Sequence, residues 1–123
     1  MKVLLIDDEA PMMKPSFRGL RSLGAEMLYA ETEECAQMLL AEHQVDAILM
    51  DGNLGYDARY DSIRGADIVK RLRAMGITIK IVMFSSDDKN NTEGIASGAS
   101  GSFNKKRMWE EDDWENKLLE ALS

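Results

Sequence analysis

The sequence predicts an open α/β fold, a parallel sheet wound on both faces by helices. Three observations predict it. Short β-prone apolar runs alternate with helical patterns down the whole chain, in the order βαβαβαβαβα. These runs lack polar alternation, as strands covered on both faces do. Four of them are followed directly by polar residues, so the polar sets belong at the carboxyl ends of strands. Right-handed crossovers then give a doubly wound five-stranded parallel sheet.

The strands are read at Val3 to Ile6, Met27 to Tyr29, Ala47 to Met50, residues 79–84, and Gly101 to Phe103. The first helix is disturbed by Pro15, which either begins it or bends it. The second helix has Thr32 as N-cap, Glu33 and Glu34 in its positive first turn, and an inward stripe of Cys35, Ala36, Leu39 and Leu40. The third carries Ile68, Val69, Leu72 and Met75 at helical spacing and stops at Gly76. The fourth, over residues 88–97, contains two Asn and Gly94 and should be short. The last places Trp114, Leu118, Ala121 and Leu122 inward, behind acids at positions 110–113. Gly24 and Gly98 sit where helices should hand over to strands.

The 123 residues fit one domain, 1–123, with one core. Cys35 is the lone cysteine, which precludes an intrachain disulfide and suits a reducing, cytoplasmic setting. No apolar run approaches a signal peptide or membrane span, so a soluble domain is expected. Fifteen basic against 22 acidic residues give a formal charge of −7, a field that disfavours direct binding to nucleic acid or anionic membrane. Lys105, Lys106 and Arg107 form one basic cluster, and for the last two a solvated loop is the favoured reading. The nine Met are scattered, as core filler would be. His43 should end the second helix at the surface. Trp109 either packs beneath the last helix or marks an exposed contact.

In open α/β sheets, ligands bind beyond the carboxyl ends of the strands. There the sequence puts Asp7, Asp8 and Glu9 after strand 1, Asp51 after strand 3, Ser85 and Ser86 after strand 4, and Asn104 and Lys105 after strand 5. Strand 2 offers nothing comparable. Two carboxylates about 4 Å apart repel by roughly 4 kcal/mol at an effective dielectric near 20. Acids gathered from adjacent strand ends therefore need a counter-charge, a shared proton or a metal. Hard oxygen donors with room for water and phosphate suit Mg²⁺. Lys105 adds a positive charge and Ser85 a hydroxyl donor, which are parts for moving a phosphoryl group onto a carboxylate. Singly, each has a plainer role: Asp8 as a helix cap, the serines as turn residues, Lys105 as surface lysine.

Together, Ile6-Asp7-Asp8-Glu9, Ile48-Leu49-Met50-Asp51-Gly52-Asn53-Leu54, Val82-Met83-Phe84-Ser85-Ser86, and Gly98-Ala99-Ser100-Gly101 leading to Lys105 resemble the receiver domain of response regulators. The resemblance covers essentially the whole chain, in order. It implies a flavodoxin-like sheet with strand order 2-1-3-4-5. It also implies that Asp7, Asp8 and Asp51, with the backbone carbonyl of Asn53, hold Mg²⁺, Asp8 more directly than Asp7. Asp51 would accept a phosphoryl group from a sensor histidine kinase or phosphotransfer protein. Lys105 stands at the family's invariant lysine, Ser85 at its switch hydroxyl, and Asp87 where hydrolysis is tuned. Such a domain is not an enzyme toward other substrates: it catalyses only its own phosphorylation and dephosphorylation. Homodimerisation through the face of the last two helices is left open.

Departures from the family pattern stand beside these. The loop over residues 52–64 is longer than the family norm, and its Tyr56, Arg59 and Tyr60 suggest a lid, a partner surface or a mobile loop. Gly55 and Lys106 replace prolines, so the turn after strand 5 should differ, and Ser102 occupies the place of a switch aromatic. A haloacid-dehalogenase-type phosphatase is disfavoured because Asn53 stands where a second acid must protonate the leaving group. A flavin site is disfavoured because Asp7, Asp8 and Glu9 would repel its phosphate, and no Walker or G-x-G-x-x-G loop appears. The competing reading is a receiver-like interaction module with weak or no phospho-switching.

Overall fold

The computed structural model describes residues 1–55 and 63–123. Its sheet is parallel throughout and runs β2-β1-β3-β4-β5. The strands are β1 (Lys2–Ile6), β2 (Glu26–Ala30), β3 (Ala47–Met50), β4 (Lys80–Met83) and β5 (Gly101–Ser102). The predicted class, strand order and hand-over points are those observed. Successive side chains on a strand face opposite ways, and here both faces are covered. Val3, Leu5, Leu49, Val82 and Phe84 pack with Phe17, Leu20, Trp114, Leu118 and Leu122 on one side. Leu4, Ile6, Ile48, Met50, Ile81 and Met83 pack with Ala36, Ile68, Val69 and Leu72 on the other. This two-sided burial is why the strands read as unbroken apolar runs.

Register fixes where the strands end. Ala30 pairs with Ile6, Ile6 with Met50, Met50 with Met83, and Met83 with Ser102, so one rung crosses the whole sheet. One residue further, Asp7 N–H donates to Ala30 O at 2.9 Å, Asp51 N–H to Ile6 O at 2.9 Å, Phe84 N–H to Met50 O at 2.8 Å and Phe103 N–H to Met83 O at 2.8 Å. Residues far apart in sequence thus leave the sheet along one line.

The helices are α1 (Ala10–Met13), α2 (Arg18–Ser22), α3 (Glu33–Glu42), α4 (Gly65–Ala74), α5 (Asp88–Ala96), α6 (Arg107–Glu110) and α7 (Trp114–Leu122). Pro15 bends rather than starts the first helical segment. It lies in a 3₁₀ turn, Lys14–Phe17, that joins α1 to α2, because its ring removes an N–H and crowds the preceding turn. Thr32 caps α3, accepting from Cys35 N–H at 3.1 Å. Gly24, Gly76 and Gly98 take positive φ at helix ends, as the hand-overs require.

Several readings need correction. Met75 follows α4 as its C-cap and is 56% exposed, so the inward stripe ends at Leu72. In α3 only Ala36 is fully buried, while Cys35, Leu39 and Leu40 are half-buried. Most of the nine Met do serve the core, Met27, Met50 and Met83 buried in it and Met13 and Met108 packed against it, while Met1, Met12, Met38 and Met75 are exposed. The acids at 110–113 stand ahead of α7 as expected, with Asp113 at its N-cap, though Glu110 closes an unforeseen short helix, α6. Of the two places left open for Trp109, which lies on that helix, the exposed one is observed. Arg107 is no loose loop residue; it lies over the Phe103 ring at 4.1 Å and pairs with Glu111. No helix among the described residues is long and apolar enough to cross a membrane.

The neck of the long loop is ordered as a small antiparallel ladder. Asn53 bridges Arg64, Leu54 N–H donates to Ile63 O at 2.8 Å, and Ile63 N–H to Gly55 O at 2.8 Å. Tyr56, Arg59 and Tyr60, expected to form a lid or partner surface, lie outside the described residues. Gly65 then seats α4 against the end of β3: its N–H donates to Gly52 O at 3.0 Å, and a Cβ there would fall 1.9 Å from Asp51 O. Backbone cannot yield as a side-chain tip can. Gly65→Ala is therefore expected to destabilise by at least about 2 kcal/mol in urea unfolding. Gly101→Ala, whose Cβ would meet nothing within 4 Å, should stay within about 1 kcal/mol of wild type.

Candidate functional site

The line of strand ends builds a carboxylate cluster. Oxygen atoms of Asp7, Asp8 and Asp51 all lie within 4.8 Å of one another. Asp7 and Asp51 are buried, and Asp8 is exposed at the mouth. Lys105, three residues beyond β5 on the far side of the sheet, reaches back across it. Its Nζ donates to Asp7 Oδ2 at 2.8 Å and to Asp51 Oδ1 at 3.0 Å, with the Phe84 ring centroid 5.6 Å away. Both Asp7 oxygens accept a bond, because its Oδ1 also accepts from Glu9 N–H at 2.9 Å. Asp8 therefore caps nothing by this route; the turn into α1 is held by Asp7. Asp51 Oδ1 takes a second bond from Gly52 N–H at 2.9 Å, which leaves Oδ2 without a hydrogen bond among the described residues.

Among the described residues one ammonium faces three carboxylates, which leaves the cluster short of positive charge. Burial pushes the Asp51 carboxyl up to about 6, and Asp7 adds to the push, while Lys105 pulls against both. Desolvation and the neighbouring Asp7 likewise hold Asp8 above the ordinary aspartate range. Burial lowers Lys105, but Asp51 and Asp7 outweigh it and its ammonium is held above the usual lysine value. A group of oxygens this close, two of them reluctant to ionise, suits a hard divalent cation.

Ser85 joins the cluster from β4. It is buried, and its hydroxyl oxygen would lie 2.8 Å from a Cβ placed on Gly52, directly after Asp51. Glycine at 52 is what lets the hydroxyl come so near the Asp51 backbone. Ser85 Oγ accepts from Asp87 N–H at 3.1 Å, and Asp87 in turn caps α5 by accepting from Lys89 N–H at 2.9 Å. Asn53 is exposed and its side chain closes a local turn onto Gly55 N–H at 3.0 Å. Gly55, at φ 85°, passes beside Asp8: a Cβ there would sit 3.3 Å from Asp8 Oδ2.

The turn after β5 differs as Lys106 suggests. Its peptide is trans, as are all those described, and its N–H donates to Asn104 Oδ1 at 2.9 Å, a bond proline could not make. Asn104 Nδ2 reaches Asp88 Oδ1 at 2.8 Å, tying this turn to the start of α5. Ser102 is exposed at the end of β5. His43 follows α3, with Lys2 Nζ 3.5 Å from its Nδ1, remote from the cluster. The sequence reading missed Gly65, Phe84 and Asn91. A glycine at the head of a helical pattern was the available sign for Gly65; nothing marked the other two.

A pH dependence follows from Asp51. Its folded carboxyl titrates near 6 rather than at 3.8, so between those values the folded state binds the extra proton. Stability in metal-free buffer should fall as pH rises through that window, by roughly 2–3 kcal/mol, and level off above it. The raised Lys105 acts elsewhere, its stabilisation being lost only at strongly alkaline pH. Urea titrations of wild type and Asp51→Asn, with chelator, isolate this contribution: the difference in pH slope should be confined to the window, and equal slopes would exclude it.

Comparison with known proteins agrees with this geometry. Residues 3–113 match the family described as "Response regulator receiver domain". The phosphate regulon transcriptional regulatory protein PhoB of Pseudomonas aeruginosa is 29% identical over 101 residues, covering 79% of this chain and 42% of that protein. The chain thus spans less than half the length of this relative. Among solved structures, a Burkholderia pseudomallei response regulator with a phosphorylated aspartic acid, calcium ion and citrate superposes with a TM-score of 0.75 at 20% identity, over 99% of this chain and 66% of that one. TrrA from Thermotoga maritima, in complex with Mg²⁺-BeF, does so with 0.74 at 19% identity, over 98% of both chains. At such identities these two likenesses speak for the fold alone; the match over residues 3–113 goes further, and the chain belongs to the response regulator receiver domain family.

Proposed function

We propose that Asp51 accepts a phosphoryl group from a phosphohistidine on a sensor kinase or phosphotransfer protein, in a Mg²⁺-dependent reaction that switches the domain's partners. The observation that carries the proposal is the convergence of Asp7, Asp8, Asp51 and Lys105 at one rim, with Ser85 beside Gly52.

The residues present suit each part of the reaction. Gly52 N–H and Lys105 orient the Asp51 carboxylate through Oδ1, leaving Oδ2 for attack on phosphorus. The phosphorus–nitrogen bond of the donor breaks as the new phosphorus–oxygen bond forms, and the imidazole leaves with the bonding pair and takes up a proton. Asp7, Asp8 and Asp51, with the Asn53 carbonyl, would hold the cation. Bound there, Mg²⁺ would offset the carboxylates and draw charge from the transferring oxygens. Lys105 already lies between Asp7 and Asp51, close enough to follow a new anion as charge shifts. The Ser85 hydroxyl, bonded among the described residues as acceptor to Asp87 N–H, has its proton to give to a phosphoryl oxygen.

The structures of two relatives support the reading: one has a phosphorylated aspartic acid and the other a Mg²⁺-BeF complex. A cytoplasmic setting, supported by the lone free cysteine, would suit such a donor. Direct nucleic-acid binding is not proposed for a domain of charge −7. The alternative, an interaction module without a switch, draws on exposed Ser102 in the place of the family's aromatic.

Incubation with Mg²⁺ and a small-molecule phosphodonor, read by intact mass, tests the acceptor. Wild type should gain one phosphoryl mass and Asp51→Asn none; no gain at any donor concentration would turn the reading to the module. Independently, Mg²⁺ at about 100 times its dissociation constant should stabilise wild type by about 2.7 kcal/mol. Asp8→Asn should lose most of that increment in a thermal shift, and an unchanged increment would remove Asp8 from the cation site.

A further inference from the structure

Asn91, on the inner face of α5, is 3% exposed and belongs to no motif. Its Nδ2 donates to Ser85 O at 3.0 Å. The same carbonyl accepts from Lys105 N–H at 3.2 Å. Ser85 O is thus held from two sides, by the backbone of Lys105 and by a buried amide of α5. The other end of that amide is unsatisfied: Asn91 Oδ1 is buried and has no hydrogen-bond partner among the described residues. Turning the amide over offers no relief, because it would set oxygen against the Ser85 carbonyl. A buried oxygen without a donor is a cost that a hydrocarbon of similar size would avoid. The side chain is therefore better explained by what its other end holds than by stability.

What it holds is the junction between the hydroxyl and the lysine of the site. A carbonyl with two donors resists rotation of the Ser85–Ser86 peptide. That rotation would release the Lys105 amide and disturb the turn in which Asp87 N–H holds the Ser85 hydroxyl. We propose that Asn91 is a positioning residue for phosphoryl transfer, clamping Ser85 O so that the Ser85 hydroxyl and Lys105 keep their places beside Asp51. The inference rests on the acceptor reading above and adds a residue to it. Asn91 touches neither the carboxylates nor the transferred group, so its loss should slow the maximal step without changing how donor or cation binds.

The test is Asn91→Leu, with Asn91→Ala as the second variant should leucine not be accommodated. Phosphorylation by a small-molecule donor is followed by intact mass over a range of donor and Mg²⁺ concentrations, alongside the thermal midpoint. The maximal rate should fall about tenfold, with donor half-saturation and Mg²⁺ affinity within about twofold of wild type. The midpoint of the leucine variant should be at or above wild type. A folded variant with the wild-type maximal rate would overturn the proposal. So would a rate loss matched by losses of Mg²⁺ affinity and thermal stability, which marks general loosening. If wild type itself takes no phosphate, the acceptor reading fails, and amide hydrogen exchange decides the clamp separately. Exchange at Lys105 should then quicken in the variant relative to Phe103, whose N–H bonds Met83 O; unchanged exchange at Lys105 would overturn it.

Discussion

The structure turns on a charge imbalance held at the edge of a buried sheet. Asp7 and Asp51 are among the few polar residues the core admits, and Asp8 stands beside them at the mouth. Among the described residues a single lysine reaches across from the far strand to meet two of the three. Burying a carboxylate is costly unless it is paired, and one ammonium cannot pair three. The surplus appears as carboxyls reluctant to ionise, Asp51 near 6 and Asp8 raised. It makes the rim receptive to a small hard cation, and to an anion once that cation is present. The same shortage of positive charge that weakens the fold prepares the site.

Register brings this about. One hydrogen-bonded rung crosses all five strands, and the chain leaves the sheet one or two residues later on each. That geometry was legible in the sequence, because unbroken apolar runs of similar length, four of them followed by polar residues, can be aligned only so far. Asp7, Asp51, Ser85 and Lys105 were found by counting from the ends of those runs. The helix stops at Gly24, Gly76 and Gly98 were legible for a local reason, the positive φ each adopts.

What escaped the sequence depends on contacts between distant segments. Gly65 is needed because the head of α4 presses on the Asp51 backbone, and a glycine at the head of a helical pattern is a sign of some constraint without naming that distant partner. Asn91 looks like one polar residue in a polar stretch until its amide is seen beneath the Ser85 carbonyl. The short helix α6 was invisible because too few residues compose it to show a period. Met75 fitted the helical spacing and yet faces outward, since α4 has reached its cap by then. Lys106 was readable as a departure from the family, but not the remedy: Asn104 uses the amide that proline would lack.

The central claim is that Asp7, Asp8 and Asp51 act together as one cation site, joined to Lys105. The most direct measurement is a Mg²⁺ titration of uniformly ¹³C-labelled protein, following every aspartate side-chain carboxyl by NMR. The resonances of Asp7, Asp8 and Asp51 should move along one binding curve while surface aspartates such as Asp46 and Asp67 stay in place. Movement of Asp8 alone, or an equal drift of all the aspartates, would contradict it.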